Sequence, residues 1–238
     1  TLMREALALA LAAVVGVSPA SVPEGTCEVR DISITWGFKE SFRSYISGSI
    51  AQGSWEVSGD VGYEIPLFTL TGGTGYVDAA RDEGIVAFEG GIVFSGHDGI
   101  LETALQNPEL IITGTREATL VLDVTGDTME EVSVNQRDVR FATVTWGRGA
   151  EEVIPSEGVW SVEGAQVVLT QEGSDGFGTY PAGEVMDPMS FRLEVSPGCL
   201  DEGTIWWIPG GVAALTVGAS ALALAIQRGR RSRGQERP

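Results

Sequence analysis

Glu83-Gly84-Ile85-Val86-Ala87-Phe88-Glu89-Gly90, followed at once by Gly91-Ile92-Val93-Phe94-Ser95-Gly96, decides the fold. Each run is β-branched and aromatic between glycines, the pattern of a short strand that must turn at both ends. The same texture extends outward. Residues 53–59 begin an alternating run, and residues 109–113 and 118–124 read as a hairpin around Gly114-Thr115-Arg116-Glu117. Residues 132–134, 139–146 and 159–169 continue the series, and 190–195 closes it. Many short strands among 32 glycines predict a mainly β domain, an antiparallel β-sandwich with one or two short helices. No unit of repeat length recurs, which argues against a solenoid or propeller.

Trp36-Gly37-Phe38-Lys39-Glu40-Ser41-Phe42-Arg43-Ser44-Tyr45-Ile46 breaks the β pattern. Phe38, Phe42, Tyr45 and Ile46 fall on one face of a helix between Gly37 and Gly48, and Ser41 shares the face of Tyr45. A short helix on a β domain is a firm place to fix a ligand side chain. The plainer reading is that Tyr45 packs this helix onto the sheet.

The ends predict the compartment. Residues 1–20 read as a secretory signal, with Arg4, an apolar run and Ser18-Pro19-Ala20 as the cleavage site. Residues 205–226 carry no charge and are long enough to cross a bilayer. Trp206 and Trp207 stand at the leading edge, and five arginines follow in the tail, residues 227–238. That order predicts a single-pass membrane protein whose domain, residues 27–203, faces outward while its C-terminus is cytoplasmic.

The net charge of the chain is −18, and the stretch between the apolar ends holds nine basic against 31 acidic residues. A field of that sign repels nucleic acid and anionic lipid, and nucleic-acid function is dropped on that ground. Cys27 and Cys199 bracket the domain. In an exported protein they read as one disulfide. A structural zinc site needs four Cys or His ligands, and the chain has three such residues in all.

His97 is the only histidine, in the turn Gly96-His97-Asp98-Gly99, and is the one ordinary candidate for neutral-pH proton or metal chemistry. Other constellations fail. Gly72-Gly73-Thr74-Gly75 lacks the Lys-Ser/Thr of a phosphate loop, and no Gly-x-Ser-x-Gly is present. The acidic clusters at 78–83 and 151–152 lack EF-hand spacing and read as solvated turns.

Four motifs in order carry a resemblance. They are Trp36 to Tyr45, then Phe88-Glu89-Gly90-Gly91-Ile92-Val93-Phe94-Ser95-Gly96-His97, then Leu105-Gln106-Asn107-Pro108-Glu109-Leu110-Ile111-Ile112, then Tyr180-Pro181-Ala182-Gly183-Glu184-Val185-Met186-Asp187-Pro188. From about Trp36 to Leu193 the chain resembles the HtaA family, cell-surface haem-binding domains of actinobacteria. The resemblance implies a β-sandwich with short helices that binds ferric haem b as cargo. It places the axial ligand on Tyr45, the hydrogen-bonding partner on His97 and a second pocket tyrosine on Tyr180. It also implies a handoff partner, either a haem-transporter binding lipoprotein or another HtaA-type domain. A host haemoprotein is a candidate source.

The chemistry fits those residue types. Tyrosine is a known haem ligand. Ionising a free phenol at pH 7 costs ~4 kcal/mol, which ferric iron can supply. An imidazole behind the phenolate fixes its direction. Ser41, one turn from Tyr45, reads either as a propionate donor or as a solvent-facing helix residue. Arg43 is a second propionate candidate. Phe38, Phe42, Phe94 and Phe177 read as walls of an apolar slot or as core.

The expectation is a haem carrier and not an enzyme. Its rivals are a cofactor-free surface or adhesion sandwich, and a tyrosinate-haem peroxide enzyme. The second would need a distal acid–base group beyond the single histidine.

Overall fold

The computed structural model describes residues 25–78, 81–127, 133–147, 151–156, 158–197 and 199, with side chains for all of these except 127 and 151–156. The expected signal, membrane segment and tail lie outside the described residues. Among the described residues no helix is long and apolar enough to cross a membrane.

The chain runs β1 (Cys27–Trp36), α1 (Glu40–Ser47), β2 (Ser54–Gly59), β3 (Val61–Glu64), β4 (Leu67–Thr71), β5 (Thr74–Asp78), β6 (Glu83–Ala87) and β7 (Gly90–Gly96). A 3₁₀ turn at His97–Gly99 leads to β8 (Leu101–Gly114), β9 (Glu117–Asp127), β10 (Ser133–Thr145), β11 (Glu151–Ser156), β12 (Val159–Leu169), α2 (Gln171–Phe177) and β13 (Met189–Val195). The architecture is antiparallel β with two helices, as expected.

Two sheets share the strands β1 and β12. Cys27 and Glu28 pair with β5, and beyond a register shift the rest of β1 lies between β13 and β4. In β12, residues 166–169 pair with β10, and after a shift between Val162 and Ala165 the earlier residues pair with β13. Strands that change partner at a bulge turn the corner between two sheets. Pairing therefore returns to its start along β1, β13, β12, β10, β9, β8, β6 and β5.

A bulge in β8 sets the position of β7 and the turn that follows it. Leu101 and Leu105 point into the core before Asn107-Pro108, and Leu110 and Ile112 after it, so the inward parity switches. Asn107 takes φ +50°, which asparagine tolerates. The first half of β8 pairs with β7 and the second half with β6.

The core beneath the site is aromatic. Phe38, Phe42, Phe68, Phe94, Phe141 and Phe177 are all buried. Phe38 meets Trp36, Phe42, Phe94, Phe141 and Phe177 at ring separations of 5.1 to 6.2 Å. Rings at such spacings contribute beyond their buried area.

The expected disulfide forms. The antiparallel register of Val29 with Val195 brings the start of β1 to the end of β13, and the Cα atoms of Cys27 and Cys199 are 5.8 Å apart.

Two expected strand features form, with details the sequence did not give. The run at 53–59 forms β2, which pairs with β7, and of its side chains only Trp55 is half-buried. Its alternation does not sort inside from outside because the strand lies at an edge. The hairpin of β8 and β9 turns on Thr115 and Arg116 alone, with Gly114 and Glu117 paired.

Candidate functional site

The helix expected between Gly37 and Gly48 is α1. It buries Phe42 and Ile46 and leaves Tyr45 half-buried. The turn after it is tied back: the Gly53 N–H donates to the Ile46 carbonyl at 2.7 Å. The N–H of His97 donates to the carbonyl of Ala51 in the same turn, also at 2.7 Å. His97 and Asp98 take φ +53° and +55°, left-handed conformations that non-glycine residues adopt only where their surroundings hold them. This backbone aims the imidazole at the helix. Tyr45 Oη and His97 Nε2 are 2.6 Å apart, within the range of a strong hydrogen bond.

A second side-chain pair, this one of two hydroxyls, lies on the neighbouring turn of α1. Ser41 Oγ and Tyr180 Oη are 2.9 Å apart. Tyr180 is placed by α2. Thr170 caps that helix, its Oγ1 accepting from the Gly173 N–H at 2.9 Å, and Gly178 ends it at φ +69°, where glycine carries no steric penalty. The Ser174 hydroxyl then donates to the Tyr180 carbonyl at 2.8 Å, and the Phe177 ring stacks on the Tyr180 ring at 6.2 Å. Lys39 Nζ lies 5.6 Å from the Tyr180 ring centroid. Phe42 touches both tyrosines from the core side, 6.3 Å from Tyr45 and 6.5 Å from Tyr180.

Five of the nine residues singled out in the sequence thus meet: Tyr45 with His97, Ser41 with Tyr180, and Phe42 beneath both. Phe38, Phe94 and Phe177 are core. Arg43 is engaged elsewhere. Its guanidinium bonds Asp187 at 3.2 Å, and its side chain is 11% exposed.

Sequence reading missed Lys39, Glu184 and Asp187. Lys39 Nζ donates to Glu184 Oε1 and to the Val185 carbonyl, both at 2.5 Å. The Asp187-Pro188 pair was visible in the fourth motif, but nothing in the sequence says which helix it meets.

Among the described residues no group of three or more His, Cys, Asp or Glu side chains could hold a metal ion. The arrangement offers instead one phenol oxygen backed by one imidazole nitrogen. That donor set suits a metal that brings its remaining ligands with it.

Other polar features lie apart from these residues. A cavity of about 530 Å³ is lined by Tyr76, Asp78, Arg81, Glu83, Ile85 and Ile112. Its buried carboxylate, Asp78, bonds Arg81, and it contains none of the five site residues. At the β8 bulge, burial pushes the Glu109 carboxyl above its ordinary 4.5, and Asp138 and Asp123 push it the same way.

The family model HtaA, described as Htaa, matches residues 31–192. Among solved structures, the chain is similar to the C-terminal domain of HtaA from Corynebacterium glutamicum. The identity is 34%, the TM-score is 0.65, and the match covers 71% of this chain and 99% of that one. The N-terminal domain of the same protein is similar at 26% identity and TM-score 0.59, covering 71% and 98%. The heme binding protein HtaB from the same organism shares the fold at 22% identity and TM-score 0.54, covering 72% and 95%. No curated protein matches the sequence.

Proposed function

We propose that this chain, which belongs to the HtaA family, binds ferric haem b through the Tyr45 phenol oxygen and passes it on chemically unchanged. The observation that carries this reading is the 2.6 Å contact between Tyr45 Oη and His97 Nε2 at a half-buried position. Bound ferric haem supplies a Lewis-acidic iron whose equatorial positions the porphyrin already fills, so a single protein oxygen suffices as ligand.

The residues divide the work. Tyr45 presents its oxygen from α1, with its ring braced by Phe42. His97, protonated at Nε2, donates to the Tyr45 oxygen in its anionic form and fixes its direction. When solvent adds a second proton at Nδ1, His97 is placed to pass its Nε2 proton to that oxygen and remain a neutral imidazole, which weakens the oxygen as a donor and assists release. Ser41 and Tyr180 present two hydroxyls side by side, a pair suited to the carboxylates of the porphyrin edge. Arg43 is left out of this role because Asp187 already engages it.

The carrier is proposed to sit on the outer face of the cell membrane, held by residues 205–226 with the arginine-rich tail inside. The Cys27–Cys199 disulfide supports an oxidising compartment. The proposed recipient is a haem-transporter binding lipoprotein or another HtaA-type domain.

Titration of the full chain with haemin, followed by optical absorption, tests the reading. One equivalent should bind with a high-spin ferric phenolate spectrum. A chain that gains no absorbance band favours the cofactor-free surface domain, and peroxide turnover by the loaded protein would make it an enzyme.

A further inference from the structure

Asp187 touches none of the five site residues' functional groups, yet it bonds the chain at four points around the start of α1. The helix opens at Glu40 after Lys39, whose side chain makes no capping bond. The first N–H groups of a helix have no partner within it. Asp187 supplies one from 147 residues away, its Oδ1 accepting from the Glu40 N–H at 3.1 Å. Its Oδ2 accepts from Arg43 at 3.2 Å. Its own N–H donates to the Phe38 carbonyl at 2.9 Å, and its carbonyl accepts from the Trp36 indole at 2.8 Å.

The local sequence accommodates this approach. A Cβ on Gly37 would stand 2.4 Å from Asp187 Oδ2, so the carboxylate reaches the helix start only because position 37 has no side chain. Phe38 adopts φ +61°, a conformation that a bulky residue keeps only when neighbours hold it. Arg43 is mostly buried, and Asp187, 3.2 Å from its guanidinium, is its counter-charge; among the described residues its Nε has no hydrogen-bond partner. Removing one member of such a pair leaves the other uncompensated.

We propose that Asp187 is a positioning residue: by fixing the start of α1 it holds Tyr45 at hydrogen-bonding distance from His97. Such a constellation works only when its supporting residues keep it within about 0.5 Å and 10–20° of its geometry. The purpose of this positioning rests on the haem reading, but its geometry does not, so the test begins in the ligand-free protein.

His97 is the sole histidine, so its imidazole gives a single, unambiguous set of NMR signals in the full chain. Asp187→Ala should move those signals toward the ones Tyr45→Phe produces. Asp187→Asn keeps an oxygen for the Glu40 N–H and should fall between. Gly37→Ala displaces the carboxylate without altering Asp187 and should act like Asp187→Ala, which keeps the test open if that variant fails to fold. Val162→Ala, a fully buried position on β12, should lower Tm and leave the imidazole signals unchanged. In the loaded protein, Asp187→Ala should release haemin about tenfold faster, the usual scale for a residue that orients a ligand.

Wild-type imidazole signals in both Asp187→Ala and Gly37→Ala overturn the positioning role, whatever happens to Tm. Shifted signals in a protein that takes up no haemin uphold it and sink the haem reading instead.

Discussion

Tyr45 Oη and His97 Nε2 stand 2.6 Å apart although 52 residues separate them in the sequence. Two backbone ties produce the pair. The turn after α1 is bonded to the helix through Gly53 and Ile46, and to the histidine through Ala51 and His97. The imidazole is therefore fixed to the same short segment that carries the phenol. A small β domain with one histidine and a phenol in this arrangement has a directed oxygen donor.

His97→Ala should leave haemin binding intact but weaken it by roughly 10- to 100-fold, chiefly through a faster off-rate. The wild-type off-rate should rise as pH falls, because His97 is placed to deliver a proton to the phenolate. The variant should lose most of that dependence. Stopped-flow transfer to an excess of a haem-scavenging protein measures both, and off-rates flat with pH in both proteins would rule out proton-assisted release.

Ser41→Ala and Tyr180→Phe each remove one member of the hydroxyl pair. Each should weaken haemin binding by about tenfold, the scale of one hydrogen bond to a charged group. Neither should shift the phenolate charge-transfer band, since neither touches the Tyr45 oxygen. Binding isotherms read beside absorption spectra check both halves. An unchanged affinity with haemin, or a wild-type loss with haemin diester, would remove the two hydroxyls from carboxylate recognition.

Reduction of the Cys27–Cys199 disulfide releases a loop with a sequence separation of 172. The chain-entropy model puts the loss of stability at about 5 kcal/mol. Urea unfolding with and without reductant measures it. Because the bridge ties β1 to the segment after β13 and not to α1, the folded reduced protein should keep its Tyr45–His97 contact.

Glu109 is a destabilising charge. Its carboxyl is raised above 4.5, so the folded state holds the proton more tightly than the unfolded chain. The group therefore penalises the fold at pH above both values, and the penalty lifts as pH falls through the folded value toward 4.5. Glu109→Gln should raise Tm by about 1–3 °C near neutral pH, a modest figure because solvent screens a partly exposed group. The gain should disappear by about pH 4. Thermal melts of both proteins across this range decide it, and a variant that melts lower at neutral pH would contradict the sign.

The helix bearing Tyr45 was legible because Phe42 and Ile46 are buried at helical spacing inside a β-rich chain. Phe38 fits the same spacing but precedes the helix, in a left-handed conformation that periodicity does not reveal. Glycine-bounded apolar runs foretold β6, β7 and the hairpin of β8 and β9. They did not foretell how β8 divides its edge between β7 and β6, because that depends on a bulge at Asn107-Pro108 whose effect is set by partner strands. The meeting of Tyr45 with His97 followed from family resemblance and not from spacing. The bonds from Ser41 to Tyr180 and from Asp187 to Glu40 join residues 139 and 147 positions apart, beyond the reach of any local pattern.

The oxygen at position 45 is the proposed iron ligand. Resonance Raman spectroscopy of the haemin-loaded full chain, excited in the phenolate-to-iron charge-transfer band, tests it most directly. The wild type should show iron–phenolate and phenolate ring modes, Tyr45→Phe should lose them, and His97→Ala should retain them at shifted frequency. The same modes persisting in Tyr45→Phe, or their absence from a wild type that binds haemin, would contradict it.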